Sequence, residues 1–105
     1  MSRNSFQTLT EPMTYVLLAL LEECNGVDIM ERVRVLSHGR VAIGPGTLYT
    51  MLSKFEDNGI VCRTRQEGRQ KWYLITDEGK AMLRREYERL QATTKDVETA
   101  LTPRS

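Results

Sequence analysis

The chain has 105 residues, which fits one small domain whose limited core would gain from a partner chain. Its composition, 40% apolar and 28% charged, is that of a soluble globular protein, and two cysteines without a secretory leader indicate a reduced, cytoplasmic protein. The net charge of +1 carries no information about an anionic partner, and the apolar run at residues 15–21 is far too short for a bilayer-spanning helix, which needs roughly 20 residues.

The N-terminal part of the chain predicts a polar lead-in and one buried helix. Residues 1–11 are polar, so they predict a flexible segment unless a partner orders them. Pro12 suits the first position of a helix, where its missing N–H costs nothing. Residues 15–21 are apolar on every side, so this helix either lies deep in the domain or packs against a second chain on one flank. Asn25 and Gly26 are expected to end it.

A second helix is predicted to begin near Asp28, with one apolar stripe at helical spacing. The stripe comprises Ile29, Met30, Val33 and Leu36. Residues 37–39 predict a helix end or turn, and His38 is expected to be a loop residue. Because Cys24, His38 and Cys62 lack the spacing of zinc ligands, neither a metal site nor a cofactor is predicted.

A third helix is predicted to start abruptly after Gly44, with Pro45 at its first position. Its buried stripe consists of Leu48, Met51, Leu52 and Phe55. Its other faces carry the candidate DNA contacts Thr47, Tyr49, Thr50 and Lys54. Hydroxyl-bearing side chains and a lysine suit hydrogen bonds to phosphates and base edges, whereas a plain solvated face more often carries Glu and Lys pairs. For Tyr49 the alternative is a half-buried aromatic ring at the edge of the core.

Two β-rich runs, residues 60–66 and 69–76, flank a glycine-containing turn and predict a hairpin. By the two-residue period of a strand, Arg63 and Arg65 are predicted to share one face. The residues expected to reach the core are Tyr73 and Ile75. Cys62 is expected to be a small buried side chain, with redox sensing as the alternative. A lone hairpin is marginal in water, so this one needs helices beneath it, and its charged tip would project outward.

Charge is unevenly distributed along the chain. Residues 32–75 hold eight basic and three acidic side chains, so the flanking segments together are negative. A local nucleic-acid footprint produces such an asymmetry. A solvated basic face is the alternative that charge alone leaves open.

The last helix is predicted to start at Thr76, a good N-cap, and it carries a heptad pattern. The seam residues are Leu83, Tyr87, Leu90, Thr94, Val97 and Leu101. About 26 residues at ~1.5 Å each make a rod of roughly 39 Å, which so small a domain cannot cover along its length. The seam is therefore predicted to face another chain.

Three helices, a hairpin and a long helix predict a mostly α fold with a small β-hairpin, namely a winged helix-turn-helix with a long C-terminal dimerisation helix. The third helix would be the recognition helix, entering the major groove of DNA. The predicted organisation is a flexible segment at residues 1–11, a DNA-binding domain at 12–76 and a dimerisation helix at 77–105.

Four stretches together resemble the PadR family of transcriptional regulators. They are VDIMER at residues 27–32, GPGTLYTML at 44–52, EDNGIV at 56–61 and RQKWYLITDEG at 69–79. The resemblance extends over residues 12–101, and a single C-terminal helix makes the chain similar to the small PadR subfamily.

The resemblance implies a homodimer, usually a repressor, that binds a pseudo-palindromic operator in double-stranded DNA. It implies dimerisation through the last helix together with the first, and a small-molecule or stress signal that alters the dimer. Carried over by position, the recognition-helix contacts would be Thr47, Tyr49 and Lys54, and the wing contacts would be Arg65, Arg69 and Lys71.

The chain departs from the family pattern at three places. Gly44 stands where the family usually has Ser, and Thr50 stands where it usually has Pro, which adds a hydroxyl to the first turns of the helix. Some small members carry a tryptophan platform for flat drugs on the last helix. Here the one tryptophan is Trp72 on the wing, and Tyr87 is the lone aromatic residue of the last helix, so no drug-stacking pocket is expected.

Two other classes of function make different predictions for this sequence. A winged-helix module that binds protein instead of DNA predicts apolar patches or balanced charge on the third helix, which the central excess of basic residues disfavours. An enzyme would need a nucleophile–base pair, a metal cluster or a phosphate loop after a strand, and the sequence presents none of these patterns.

Overall fold

The computed structural model describes residues 8–104, and within them it contains four helices and a three-stranded antiparallel sheet. In chain order the elements are α1 (Glu11–Ala19), β1 (Cys24–Asn25), α2 (Gly26–Leu36), α3 (Pro45–Asp57), β2 (Val61–Glu67), β3 (Gln70–Ile75) and α4 (Asp77–Leu101). The predicted fold class, a winged helix-turn-helix followed by a long helix, is confirmed.

The described part of the chain begins just before α1. The predicted flexible segment at residues 1–11 falls mostly on residues 1–7, which lie outside the described part. Leu9 is buried in the core, and the Thr10 hydroxyl caps α1 by accepting the N–H of Met13 at 3.3 Å. The helix therefore begins at Glu11, one residue before the predicted opening at Pro12.

The predicted end of the first helix at Asn25 and Gly26 is wrong. The helix ends at Ala19, and the Arg32 guanidinium donates to the Ala19 carbonyl at 3.0 Å. Asn25 instead caps α2, because its Oδ1 accepts the N–H of Asp28 at 3.0 Å. An asparagine side chain can serve either end of a helix, and here the orphan N–H groups of α2 are the ones that it satisfies.

The hairpin is part of a larger sheet than the sequence predicts. The two-residue strand β1 pairs with β3, so β3 is the central strand and the order is β1-β3-β2. Cys24 lies opposite Tyr73, and Asn25 lies opposite Trp72. A strand of two residues is too short to show alternation of apolar and polar side chains, so no pattern in the sequence predicts it.

A bulge at Thr64 overturns the prediction that Arg63 and Arg65 share a face. Arg63 is opposite Tyr73, whereas Arg65 is opposite Trp72, the neighbouring residue on β3. Neighbouring residues of a strand point to opposite faces, so the extra residue in β2 places the two arginines on opposite faces of the sheet.

The core is built as the helical and strand patterns predict, with two exceptions. The four stripe residues of α3 are all buried, as are Tyr73 and Ile75 of β3. Leu36, a predicted member of the α2 stripe, is 44% exposed and is the last residue of its helix. Cys62 is exposed rather than buried, since it lies opposite Leu74 and away from the core face of the sheet, whereas Cys24 is buried.

The base of α4 is fixed tightly against the sheet. The Thr76 hydroxyl accepts the N–H of Gly79 at 3.1 Å and donates to the Ile60 carbonyl at 2.9 Å. A Cβ at Gly79 would overlap the Ile60 carbonyl oxygen and the Ile75 side chain, so only glycine permits this approach. Beyond Glu86, every described residue of α4 is exposed, and the helix projects from the domain.

Within residues 8–104, none of the helices has the length and apolar character needed to cross a bilayer. The same residues contain no cluster of three or more His, Cys, Asp or Glu side chains that could hold a metal ion.

Candidate nucleic-acid interface

The N-terminus of α3 is open to solvent. Gly44 is its N-cap and supplies no side-chain hydrogen bond, and Pro45 occupies the first turn. A Cβ at Gly44 or Gly46 would meet no protein atom within 4 Å. The first turn contains no acidic residue, so nothing there neutralises the positive end of the helix dipole. This end of α3 can therefore accept a negatively charged group.

One face of α3 presents polar groups that are free to bind. Thr47, Thr50 and Lys54 are spaced three and four residues apart, so they lie on one side of the helix. Together with Met13 of α1 they line a shallow depression of about 350 Å³. In the described part of the chain, neither threonine hydroxyl has a hydrogen-bond partner and Lys54 has no ion pair. The face therefore offers two hydroxyl groups and a cation to a ligand.

Tyr49 lies on the other flank of the buried stripe, about 200° around the helix from Thr47. Its side chain is 44% exposed, and a Cβ on Gly26 would overlap its hydroxyl, so the ring packs over the start of α2. Nearby, burial raises the pKa of the Tyr73 phenol, and the Arg63 guanidinium partly offsets that rise. Tyr49 thus joins α3 to α2, and its DNA contact stays a prediction.

The three predicted wing cations differ in their surroundings. The guanidinium carbon of Arg65 lies 3.8 Å from the centre of the Trp72 ring, and its Nη1 donates to Glu67 at 2.5 Å. Arg69 is exposed and Lys71 half-buried, one on each side of the strand start at Gln70. Neither forms an ion pair with another described residue.

Most basic residues of the central span are occupied within the fold. Those with an acidic partner within 4 Å are Arg32, Arg34, Arg40, Arg63 and Arg65. The cations of residues 32–75 that have no ion pair with any described residue are Lys54, Arg69 and Lys71. These three cations are therefore the ones that remain available to a ligand, and all of them are predicted DNA contacts.

Some residues of this surface could not be, or were not, predicted from the sequence to belong to it. Met13 reaches the α3 depression from the first helix, and no local pattern could have revealed that. Glu67 pairs with Arg65, which its position two residues along the same strand could have suggested. The contact between Arg65 and Trp72 depends on the bulge at Thr64, which has no signature in this sequence.

The predicted seam of α4 is a row of exposed apolar residues. Tyr87, Leu90, Val97 and Leu101 are between 45% and 77% exposed, Thr94 is exposed, and Leu83 packs partly against the core. The seam continues into a groove of about 760 Å³ between α1 and α4. Its apolar lining includes Leu9, Leu18, Leu21, Leu83, Tyr87 and Leu90.

Glu86 adjoins this groove as a buried carboxylate. Its Oε1 and Oε2 accept hydrogen bonds from Arg89 at 3.1 and 2.5 Å, and the backbone N–H of Leu9 donates to it as well. These hydrogen bonds, above all those from Arg89, lower the pKa of Glu86. The residue therefore ties the start of the described chain to α4.

Comparison with known proteins identifies the family. The model of the transcriptional regulator PadR-like family matches residues 16–85, about two thirds of the chain. The chain belongs to the PadR-like family of transcriptional regulators. PadR-like proteins are transcriptional regulators and not enzymes, which decides against the enzymatic alternative.

Solved structures share the fold over most of the chain. A PadR family transcriptional regulator from Eggerthella lenta has a TM-score of 0.74 at 25% identity, covering 88% of this chain and 82% of its own. A PadR family regulator from hypervirulent Clostridium difficile has a TM-score of 0.69 at 23% identity, covering 86% and 98%. The PcaV transcriptional regulator from Streptomyces coelicolor, solved with its natural ligand, has a TM-score of 0.71 at 23% identity, covering 91% and 65%. Among curated proteins, no sequence matches this chain.

Proposed function

We propose that this PadR-family regulator is a cytoplasmic homodimer that binds a pseudo-palindromic operator in double-stranded DNA and represses transcription in response to a small-molecule or stress signal. The observation that carries the DNA-binding proposal is the placement of free positive charge. The cations of the central span without an ion pair in the described chain are Lys54 on α3 and Arg69 and Lys71 on the wing. Phosphate groups are the natural partners of such cations.

In the proposed complex α3 enters the major groove. Thr47, Thr50 and Lys54 face the DNA, with the hydroxyls reading base edges or phosphates and the lysine contacting the backbone. Tyr49 reaches a phosphate from the flank of the helix. The open N-terminus at Gly44 allows close approach of the sugar-phosphate chain, because no side chain stands in the way.

The wing supplies contacts that position the protein on the duplex. Arg65, Arg69 and Lys71 contact phosphates next to the bases that α3 reads, which adds affinity without adding sequence information. These proposed roles match those implied for the family, and the free state of Arg69 and Lys71 in the fold supports them.

Dimerisation would place two such modules on one operator. The apolar seam of α4 is uncovered by the protein's own domain, and the groove between α1 and α4 adjoins it. Burying this surface against a second copy is the simplest way to remove it from water. The proposed units are a DNA-binding module at residues 12–76 and a dimerisation helix at 77–105.

An effector would act at the same junction. The groove between α1 and α4 borders both the seam and the helix that begins the DNA-binding module, so a ligand there would change the angle between the two modules of a dimer. Tyr87 is the aromatic residue that α4 contributes to the groove. A flat drug stacked between two tryptophans is therefore not the expected ligand.

The test is selection of bound duplexes from a random library, followed by titration of the selected duplex with salt. We expect a two-fold symmetric sequence and an affinity that falls steeply with salt, because bound phosphates release counterions. Lys71→Ala should weaken binding to all duplexes alike and reduce the salt slope by about 1, whereas Thr50→Ala should change the preferred sequence. Failure to bind any duplex at low salt would refute the proposal and favour a protein partner.

A further inference from the structure

Arg65 is held in place more firmly than the other wing cations. One face of its guanidinium lies on the Trp72 ring at 3.8 Å, and its Nη1 is bonded to Glu67. Its Nε and Nη2 have no hydrogen-bond partner in the described part of the chain. These two groups form one edge of the guanidinium, and two parallel N–H donors on one edge match two oxygens of a phosphate.

This arrangement depends on the bulge in β2. If the two strands paired regularly, with Thr64 opposite Trp72, Arg65 would lie opposite Lys71 and share the face of Arg63 and the buried Tyr73. The bulge is itself anchored, because the Thr64 hydroxyl donates to the carboxylate of Glu23 in the segment before β1. The backbone therefore directs Arg65 to the outer face of the wing, where Trp72 lies.

Trp72 is a fixed platform for this contact. It lies on the central strand β3, with Arg65 opposite it on β2 and Asn25 opposite it on β1. Asn25 is also the N-cap of α2, which joins the platform to the helix-turn-helix. Pairing on both sides fixes the backbone of Trp72, and an arginine already stacked on its half-buried ring loses less side-chain freedom when it binds.

We infer that Trp72 is a positioning residue for DNA recognition, which holds Arg65 so that its Nε and Nη2 donate to one phosphate of the operator. Glu67 completes the arrangement by fixing the opposite side of the guanidinium. The inference rests on the proposed function, and it assigns Trp72 a role that needs no contact between the indole ring and DNA.

A double-mutant cycle on operator affinity tests the inference. Trp72→Leu should weaken binding about two- to fivefold, the worth of an exposed cation–π contact. Trp72→Phe keeps an aromatic face and should stay within about twofold of the wild type. In an Arg65→Ala background, Trp72→Leu should cause no further loss. An equal loss in both backgrounds would overturn the inference, because Trp72 would then act independently of Arg65.

A second measurement uses the protein without DNA. Trp72 is the only tryptophan of the chain, so its fluorescence reports on this site alone. Arg65 covers one face of the ring, so Arg65→Ala should make Trp72 more accessible to a neutral quencher such as acrylamide, and Arg69→Ala should not. Equal quenching in the wild type and in Arg65→Ala would show that the stack is absent and would overturn the inference.

The two measurements separate this inference from the proposed function. If the wild type binds an operator but the cycle is additive, the role of Trp72 is wrong and the DNA-binding function stands. If the wild type binds no duplex at low salt, both fail, whatever the quenching shows about the stack in the free protein.

Discussion

The absence of a side chain at Gly26 allows the Tyr49 ring to lie directly over the start of α2. The helical pattern correctly places Tyr49 beside the buried stripe of α3, and the structure shows it about half exposed. Its neighbour could not be predicted, because Gly26 is distant in sequence and belongs to a helix start that the sequence suggested was a helix end. Packing and the predicted DNA contact of this side chain can be tested separately.

Tyr49→Phe separates them. The hydroxyl has no hydrogen-bond partner among the described residues, so its removal should change the free energy of unfolding by less than about 0.5 kcal/mol. If the hydroxyl donates to a phosphate, operator affinity should fall about tenfold, the worth of a hydrogen bond to a charged group. The measurements are thermal unfolding and a binding titration. Unchanged affinity would assign Tyr49 to packing alone.

Glu86 shows how a buried charge makes stability depend on pH. Hydrogen bonds from Arg89 lower its pKa below the usual value near 4.5, so its contribution is present above that value and is lost as the pH falls through the lowered pKa. Its burial was not predicted, since a glutamate within a charged helix reads as a surface residue.

We therefore expect the wild type to lose stability more steeply than Glu86→Gln as the pH falls from about 5 to about 3. At neutral pH, Glu86→Gln should be less stable by about 1–3 kcal/mol, because hydrogen bonds to a charged group are weakened. Thermal unfolding across this range measures both effects. Glu88→Gln, at an exposed position of the same helix, is the matched control, and parallel curves for wild type and Glu86→Gln would contradict the prediction.

Among the secondary-structure elements, those with a repeated pattern were predictable and those without one were not. The buried stripe of α3 and the heptad seam of α4 recur over several turns, so they fix both the element and its buried or exposed face. The end of α1, the strand β1 and the bulge at Thr64 each depend on one or two residues and on tertiary partners. Such features produce no periodic pattern in the sequence, so they could not be predicted from it.

The seam of α4 gives a prediction at this scale. Leu90→Glu places a charge on the exposed apolar row beside the groove, so it should convert dimers to monomers and reduce operator affinity about 100-fold or more, since the second module no longer binds in tandem. Ala92→Glu adds the same charge at an exposed position outside the seam and should leave the dimer intact. Sedimentation at micromolar concentration measures the oligomeric state of both variants. A Leu90→Glu variant that remained dimeric would show that this seam is not the dimer interface.

The order of elements, and hence the fold class, could be predicted for the molecule as a whole, but the pairing of its charges could not. The sequence shows eight basic residues in the central span without showing which of them meet an acidic partner. Arg40, for example, lies 3.9 Å from the Glu11 carboxylate and donates to the Tyr15 hydroxyl at 2.8 Å. Only the folded molecule reveals that the cations of this central span without an ion pair to a described residue lie on α3 and the wing.

A dimer joined through α4 predicts the geometry of the operator. Two recognition helices related by a two-fold axis should occupy half-sites about one helical turn apart, near 10 base pairs or a multiple of it. Inserting about 5 base pairs between the half-sites rotates one to the opposite face of the duplex and should abolish tight binding. Inserting a full turn is the control for length alone. Equal affinity for both insertions would show that the two modules bind independently.

Because Gly79 packs closely against the rest of the domain, α4 acts as a lever whose pivot lies inside the domain. From Gly79 to Leu101 the helix extends about 33 Å, so a tilt of about 5° would displace its far end by roughly 3 Å. In the proposed dimer, a displacement of that size where the two α4 helices meet would shift each DNA-binding module by a comparable distance. A small change at the Gly79 contact would therefore alter the spacing of the two recognition helices in the proposed dimer.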